Sequence, residues 1–151
     1  MTIPMPPYQG SYLTPSFDDA TVADAMHPGV MTCPPEASAV SVARMMATHH
    51  VHAIVVEGIG PDAYPPSRRV WGIVSDLDLT RAAASGNAED LTAAELAATE
   101  PVTIDVTAPL AEAARTMDEH GTAHLIVVDR RRPVGMLSTL DVAGALAWGR
   151  G

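Results

Sequence analysis

Two stretches of the chain place apolar residues at helical spacing. Val42, Met45 and Met46 lie on one side of the first stretch, and Ala113 and Met117 lie on one side of the second. Residues three and four apart share a helix face, so both stretches are predicted to be amphipathic helices. Methionine at this spacing indicates a packing face in a core or an interface.

Each predicted helix is followed by an aliphatic run that ends in an acid, at 52–57 and at 124–129. An apolar run without alternation is typical of a strand that is buried on both faces. With one residue of slip the two runs match, so their leading histidines align. A second pair of stretches, 72–79 and 135–142, is predicted to form strands that turn through a serine into a helix.

The chain therefore contains an internal repeat. The pairs Thr21/Asp24 and Thr92/Glu95 lie 71 residues apart, and each has the spacing of a capping box at a helix start. At the same offset the motif A-R-x-M-x-x-H occurs at 43–49 and again at 114–120. A fixed offset shared by several motifs indicates two copies of one structural unit.

Each copy is predicted to contain helix, short strand, helix, strand, connection, strand and helix. Such a copy is too small to bury both faces of its sheet, so we expect an α/β fold of two small three-stranded sheets packed with helices and related by a pseudo-twofold axis around a shared cleft. The predicted domains are 20–86 and 87–151, after an irregular Pro-rich arm at 1–19. The connection between the last two strands is longer in the first copy, 58–71, than in the second, 130–134.

Composition narrows the function classes. The chain has 151 residues, a net charge of −9 and no Lys, which disfavours nonspecific nucleic-acid binding. The lone Cys33 allows no internal disulfide and no Cys-based metal site, and we interpret it as a small buried hydrophobic residue. The sequence has no targeting segment and no apolar stretch of the roughly 18 residues that a membrane span needs, so we expect a cytoplasmic protein.

A motif whose residues could bind a ligand lies near the end of each copy. G-h-h-S-x-x-D, where h is a large apolar residue, occurs at 72–78 and at 135–141. The glycine lets a backbone or a flat ring approach, and the serine at a helix start offers a hydroxyl and N–H groups that favour phosphate. The aspartate offers two acceptor oxygens, which suit the adjacent hydroxyls of a ribose.

The order of these elements and the doubled motif resemble a tandem pair of CBS domains, the Bateman module, over residues 21–148. The resemblance implies that an adenosine derivative binds, with the aspartate on the ribose, the serine near the first phosphate and the base against the first strand. It also implies a histidine near the phosphates and a homodimer. The implied binding residues are Gly72, Ser75, Asp78, Gly135, Ser138, Asp141, Val30, Met31, Thr32, Val102, Thr103, Ile104, His52 and His124.

No catalytic arrangement is recognisable, so we expect a regulatory module without enzyme activity and without a required cofactor. The expected ligand is AMP, ADP, ATP or S-adenosylmethionine, and the expected partner is a protein regulated in trans. The net charge favours AMP, ADP or a sulfonium compound over free ATP.

Two alternatives stay open at this point. The first-turn aspartates and the serines are also common helix caps that need no ligand. If these residues only cap helices, the module is an interaction scaffold. The grouping of His49, His50 and His52 allows a metal-binding module, although the helix-to-strand boundary is expected to turn these side chains in different directions.

Overall fold

The computed structural model of this chain describes residues 16–59, 68–97 and 101–148. Most of the predicted arm and the Pro-rich part of the 58–71 connection lie outside these residues. The elements are α1 (Val22–Ala25), β1 (His27–Pro28), β2 (Thr32–Cys33), α2 (Ala39–His49), β3 (Ala53–Ile59), β4 (Arg68–Ser75), α3 (Asp76–Ser85), α4 (Ala93–Leu96), β5 (Thr103–Asp105), α5 (Leu110–His120), β6 (His124–Asp129), β7 (Arg132–Ser138) and α6 (Thr139–Trp148), with a 3-10 turn at Ala88–Asp90. The predicted α/β class and the repeated order of elements are confirmed. Among the described helices none is long and apolar enough to span a bilayer.

The chain folds as two compact units that do not follow the order of the repeats. One, here called the central unit, runs from Gly29 to Pro101. The other, the terminal unit, combines the chain up to Pro28 with the chain from Val102 onward. The short first helix of each repeat therefore packs with the body of the other repeat, and the domain boundaries drawn from the sequence stay a prediction about the repeats alone.

The central unit contains a three-stranded sheet in the order β2-β3-β4, with β2 parallel and β4 antiparallel to β3. Ile54, Val55 and Val56 of β3 are fully buried, which confirms a strand covered on both faces. Ile54 and Val56 share a core with Val42 and Met46 of α2, so the methionine face of that helix packs in the core of its own unit.

The terminal unit contains a four-stranded sheet in the order β1-β7-β6-β5. Three of these strands are the predicted ones. The fourth, β1, adds to the edge as His27 and Pro28 pair antiparallel with Met136 and Gly135. Its presence brings the chain just after α1 beside the last strand of the second repeat.

Matching backbone hydrogen bonds attach each short helix to its unit. In the terminal unit Val22 N donates to Ala108 O at 2.8 Å, and Leu110 N donates to Ala20 O at 2.9 Å. In the central unit Ala93 N donates to Ala37 O at 2.7 Å. The predicted capping boxes are present at both helix starts, where Thr21 N donates to Asp24 Oδ2 at 2.8 Å and Thr92 N donates to Glu95 Oε1 at 3.2 Å.

The strand register corrects one sequence prediction. Ala53 pairs with Ser75 in the central unit, and His124 pairs with Ser138 in the terminal unit. The equivalent of His124 is therefore Ala53, at the same offset of 71, and the one-residue slip that aligned His52 with His124 was wrong. Residue identity along the two runs favoured the slip, but the hydrogen-bonded register decides which positions are equivalent.

Candidate functional site

The G-h-h-S-x-x-D motif of the first repeat forms a helix corner in the central unit. Ser75 ends β4 and is the N-cap of α3. Its backbone N donates to Asp78 Oδ2 at 2.8 Å, its Oγ donates to the same oxygen at 3.0 Å, and Asp78 N donates back to Ser75 Oγ at 3.2 Å. The motif is therefore a capping box, in which one carboxylate oxygen satisfies the helix start.

The second motif repeats this corner in the terminal unit. Ser138 N and Ser138 Oγ donate to Asp141 Oδ2 at 2.8 and 3.1 Å, and Asp141 N donates to Ser138 Oγ at 3.3 Å. The capping interpretation of both motifs is thus correct as far as Oδ2 is concerned. Because a carboxylate has a second oxygen, capping does not use up the acceptor capacity that a ribose needs.

The two corners differ in what lies beside the aspartate. Asp141 is 5% exposed and its Oδ1 lies 2.7 Å from His27 Nε2. Asp78 is half-buried, and within the described part of the chain its Oδ1 has no hydrogen-bond partner. The equivalent of His27 in the second repeat, position 98, lies outside the described residues.

Sequence reasoning missed His27. It lies two residues after the short α1, in a segment with no helical or strand period of its own, and only the pairing of β1 with β7 brings it to Asp141. No local signal could have found it, because the contact joins residues 114 positions apart in sequence.

Both motif glycines are sites of close approach by the chain itself. A Cβ at Gly72 would lie 2.8 Å from Ala97 Cβ, just after α4. A Cβ at Gly135 would lie 2.6 Å from His27 O and 2.9 Å from Met26 Sδ, just after α1. Of the two roles the sequence left open for these glycines, approach by a backbone is the one the fold uses.

The residues expected to hold the base differ in burial, and two of them accept backbone hydrogen bonds from the neighbouring strand. Met31 O accepts from Val55 N at 2.9 Å, and Val102 O accepts from Ile126 N at 3.0 Å, so the two positions are equivalent. Val30, Met31, Thr32 and Val102 are half-buried and Thr103 is exposed, whereas the Ile104 side chain lies in the hydrophobic core of the terminal unit.

The histidines of the first repeat do not form a cluster. His49 ends α2, His50 follows it with a left-handed backbone, and His52 Nδ1 lies 2.9 Å from Asp76 Oδ2 on the surface. Across the described residues no three His, Cys, Asp or Glu side chains are grouped so that they could hold a metal ion. His124 is half-buried at the start of β6.

A depression of about 560 Å³ opens at the C-terminal ends of β2 and β3. It is lined by Thr32, Cys33, Pro34, Pro35, Glu36, Glu57 and Gly58. Burial raises the pKa of the Cys33 thiol, and the negative charges of Glu57 and Glu36 raise it further. The thiol is therefore buried and protonated at neutral pH, as expected for a packing residue, and the acidic lining disfavours an anionic ligand there.

Comparison with known families and structures gives a consistent picture. The family model described as CBS domain matches residues 22–85 and again 93–147. Among curated proteins, none matches the sequence significantly.

The solved structures similar to this chain include the following three. A CBS domain protein from Pyrobaculum aerophilum complexed with AMP is 27% identical with a TM-score of 0.69, covering 85% of this chain and 98% of its own. Hypoxic Response Protein I with two coordinated zinc ions is 27% identical with a TM-score of 0.64, covering 82% and 97%. An uncharacterized conserved protein from Pyrococcus horikoshii is 24% identical with a TM-score of 0.71, covering 85% and 92%, and supports the fold alone.

Proposed function

Because this chain belongs to the CBS-domain family, with two matched domains, we propose that it is a non-catalytic regulatory module that binds an adenosine-type ligand at Asp78 and Asp141 and signals to a partner in trans. The observation that carries the proposal is the duplicated corner. In each, a serine caps a ten-residue helix and fixes an aspartate through one oxygen only.

The chemistry of such a corner suits a nucleoside phosphate. The capping bonds fix the carboxylate, so no side-chain freedom is lost when ribose hydroxyls bind to its other oxygen. The serine hydroxyl and the first N–H groups of the helix carry partial positive charge, which favours a phosphate nearby. The AMP complex of the 27% identical protein from Pyrobaculum aerophilum supports the same ligand class.

Charge refines the choice among the adenosine ligands. The chain carries −9 at pH 7, so a triphosphate meets more repulsion than a monophosphate or a sulfonium compound. We therefore expect AMP, ADP or S-adenosylmethionine to bind more tightly than ATP without Mg²⁺. A module that binds without chemistry regulates by stabilising one of its conformations through differential affinity.

The test is calorimetric titration of the full chain with AMP, ADP, ATP and S-adenosylmethionine. We expect at least one of them to bind, and replacement of both Asp78→Ala and Asp141→Ala to abolish binding. Each substitution also removes the two hydrogen bonds that the serine donates to the carboxylate, and costs about 1 kcal/mol of stability.

Glu95→Ala is the matched control, because it removes the corresponding capping carboxylate of α4 without touching either corner. It should lower the melting temperature yet leave the ligand affinity unchanged. Indifference of the wild-type chain to all four compounds would contradict the proposed function.

Zinc is the second candidate ligand, since a 27% identical structure holds two coordinated zinc ions. The described residues offer no ready metal group, so the adenosine proposal is preferred. A rise in melting temperature with zinc and none with nucleotides would reverse this preference. Binding of a protein partner that is unaffected by loss of both aspartates would instead favour the scaffold.

A further inference from the structure

The most unusual contact at either corner joins His27 to Asp141. Building on the proposed function, we propose that His27 is an autoinhibitory residue, an internal competitor that a nucleoside must displace from Asp141. The ligand class is the one proposed above, and the new element is regulation of one of the two corners by a side chain of the protein.

The acceptor capacity of Asp141 is almost filled by the protein. Oδ2 accepts from Ser138 N and from Ser138 Oγ, and Oδ1 is 2.7 Å from His27 Nε2. A carboxylate offers about four lone-pair sites, so only one is left. A ribose diol brings two donors, and both can be accepted only after the imidazole leaves.

Access to the carboxylate gives the same answer. The Asp141 side chain is 6% exposed, so a sugar reaches it only if a covering group moves. The His27 side chain is 78% exposed, and among the described residues it has no other side-chain partner, so little else holds the ring. Of the two partners the histidine is therefore the one free to move.

The movement needs no change of the backbone. His27 pairs with Met136 in the sheet, and its carbonyl oxygen packs against Gly135. The backbone of His27 is thus held in the sheet, and rotation about its side-chain torsions breaks the contact with Oδ1 without moving the main chain. Asp78 has no such partner among the described residues, so the two corners should differ in affinity and the Asp78 corner should fill first.

The experiment isolates each corner in the full chain and uses AMP as the probe. In an Asp78→Ala background only the Asp141 corner remains, and adding His27→Ala should tighten AMP binding about tenfold in calorimetric titration, because one competing hydrogen bond is removed. In an Asp141→Ala background the same His27→Ala change should leave the AMP affinity unaltered. His120→Ala is the control for loss of an exposed histidine, because its ring is hydrogen-bonded to the Thr116 carbonyl oxygen of its own helix.

A second variant and a second measurement guard against misfolding. His27→Gln keeps a hydrogen-bond donor and should retain part of the inhibition. In the wild-type chain the His27 ring resonances should move on AMP addition, in the direction that Asp141→Ala moves them without ligand.

Unchanged or weaker AMP binding after His27→Ala, or ring resonances that ignore AMP while AMP binds, would overturn the autoinhibitory role and leave the proposed function standing. Absence of AMP binding in the wild type and in every variant would reject the proposed function itself, and this inference with it.

Discussion

The residue that ends the long helix of each repeat has a left-handed backbone in both copies, but only one copy has glycine there. α2 ends at His50 with φ of 53°, and α5 ends at Gly121 with φ of 59°. Both are left-handed, a region that glycine enters freely and a residue with a Cβ enters at a cost. The first repeat therefore carries local strain at a position where the second carries none.

Substitution of this pair should shift stability in opposite directions. We expect His50→Gly to raise the free energy of unfolding by about 1 kcal/mol and Gly121→Ala to lower it by about 1 kcal/mol. Urea denaturation followed by circular dichroism measures both. If His50→Gly does not raise the free energy of unfolding, the His50 side chain makes an interaction that compensates for the strain.

At the scale of elements, the packing of each short helix requires a glycine in the motif of the opposite repeat. The chain after α4 crosses Gly72 at Ala97, and the chain after α1 crosses Gly135 at Met26 and His27. A methyl group at either glycine would force these segments away from the sheet. The same glycines that mark the motif in the sequence are thus what allows the exchanged helices to pack.

A size-swap experiment tests this dependence. Gly72→Ala should lower the free energy of unfolding by about 1–3 kcal/mol through overpacking. Adding Ala97→Gly should restore part of the loss, because the 2.8 Å contact is with the Ala97 methyl group. Gly135→Ala should resist such rescue by Met26→Ala, since the 2.6 Å contact is with a backbone oxygen. Equal rescue at both sites in thermal unfolding would argue against this packing.

At the scale of the whole molecule, α6 exposes three large apolar side chains, Leu140, Leu146 and Trp148, at 72%, 63% and 46%. Leu140 and Trp148, eight residues apart, lie in one stripe along the helix. The equivalent stripe of α3 is Leu77, Arg81 and Ser85, which is mostly polar. Exposed apolar patches mark interaction surfaces, and with the homodimer implied by the family resemblance we propose that α6 packs against a second copy of this chain.

Self-association should therefore depend on α6 more than on α3. We expect sedimentation to show a dimer at micromolar concentration that Leu140→Glu converts to monomer. Leu77→Glu, the matched change in α3, should leave the dimer intact. A wild-type monomer under these conditions would refute the proposal.

Local sequence determined much of the fold and part of the candidate site. The capping pairs at Thr21 and Thr92, the amphipathic helices and the buried strand cores depend on residues close in sequence, so periodicity and turn chemistry were sufficient to predict them. The Ser75/Asp78 and Ser138/Asp141 corners were found for the same reason. Each lies within one helical turn.

Tertiary structure alone decided the rest. The exchange of α1 and α4, the addition of β1 to β7, the register that makes Ala53 the equivalent of His124, and the contact of His27 with Asp141 all join distant segments. Such pairings depend on which sheet edges and which glycines come into contact after folding, and local sequence propensity does not determine these contacts. Sequence therefore placed the two acidic corners, and the three-dimensional packing brought His27 to one of them.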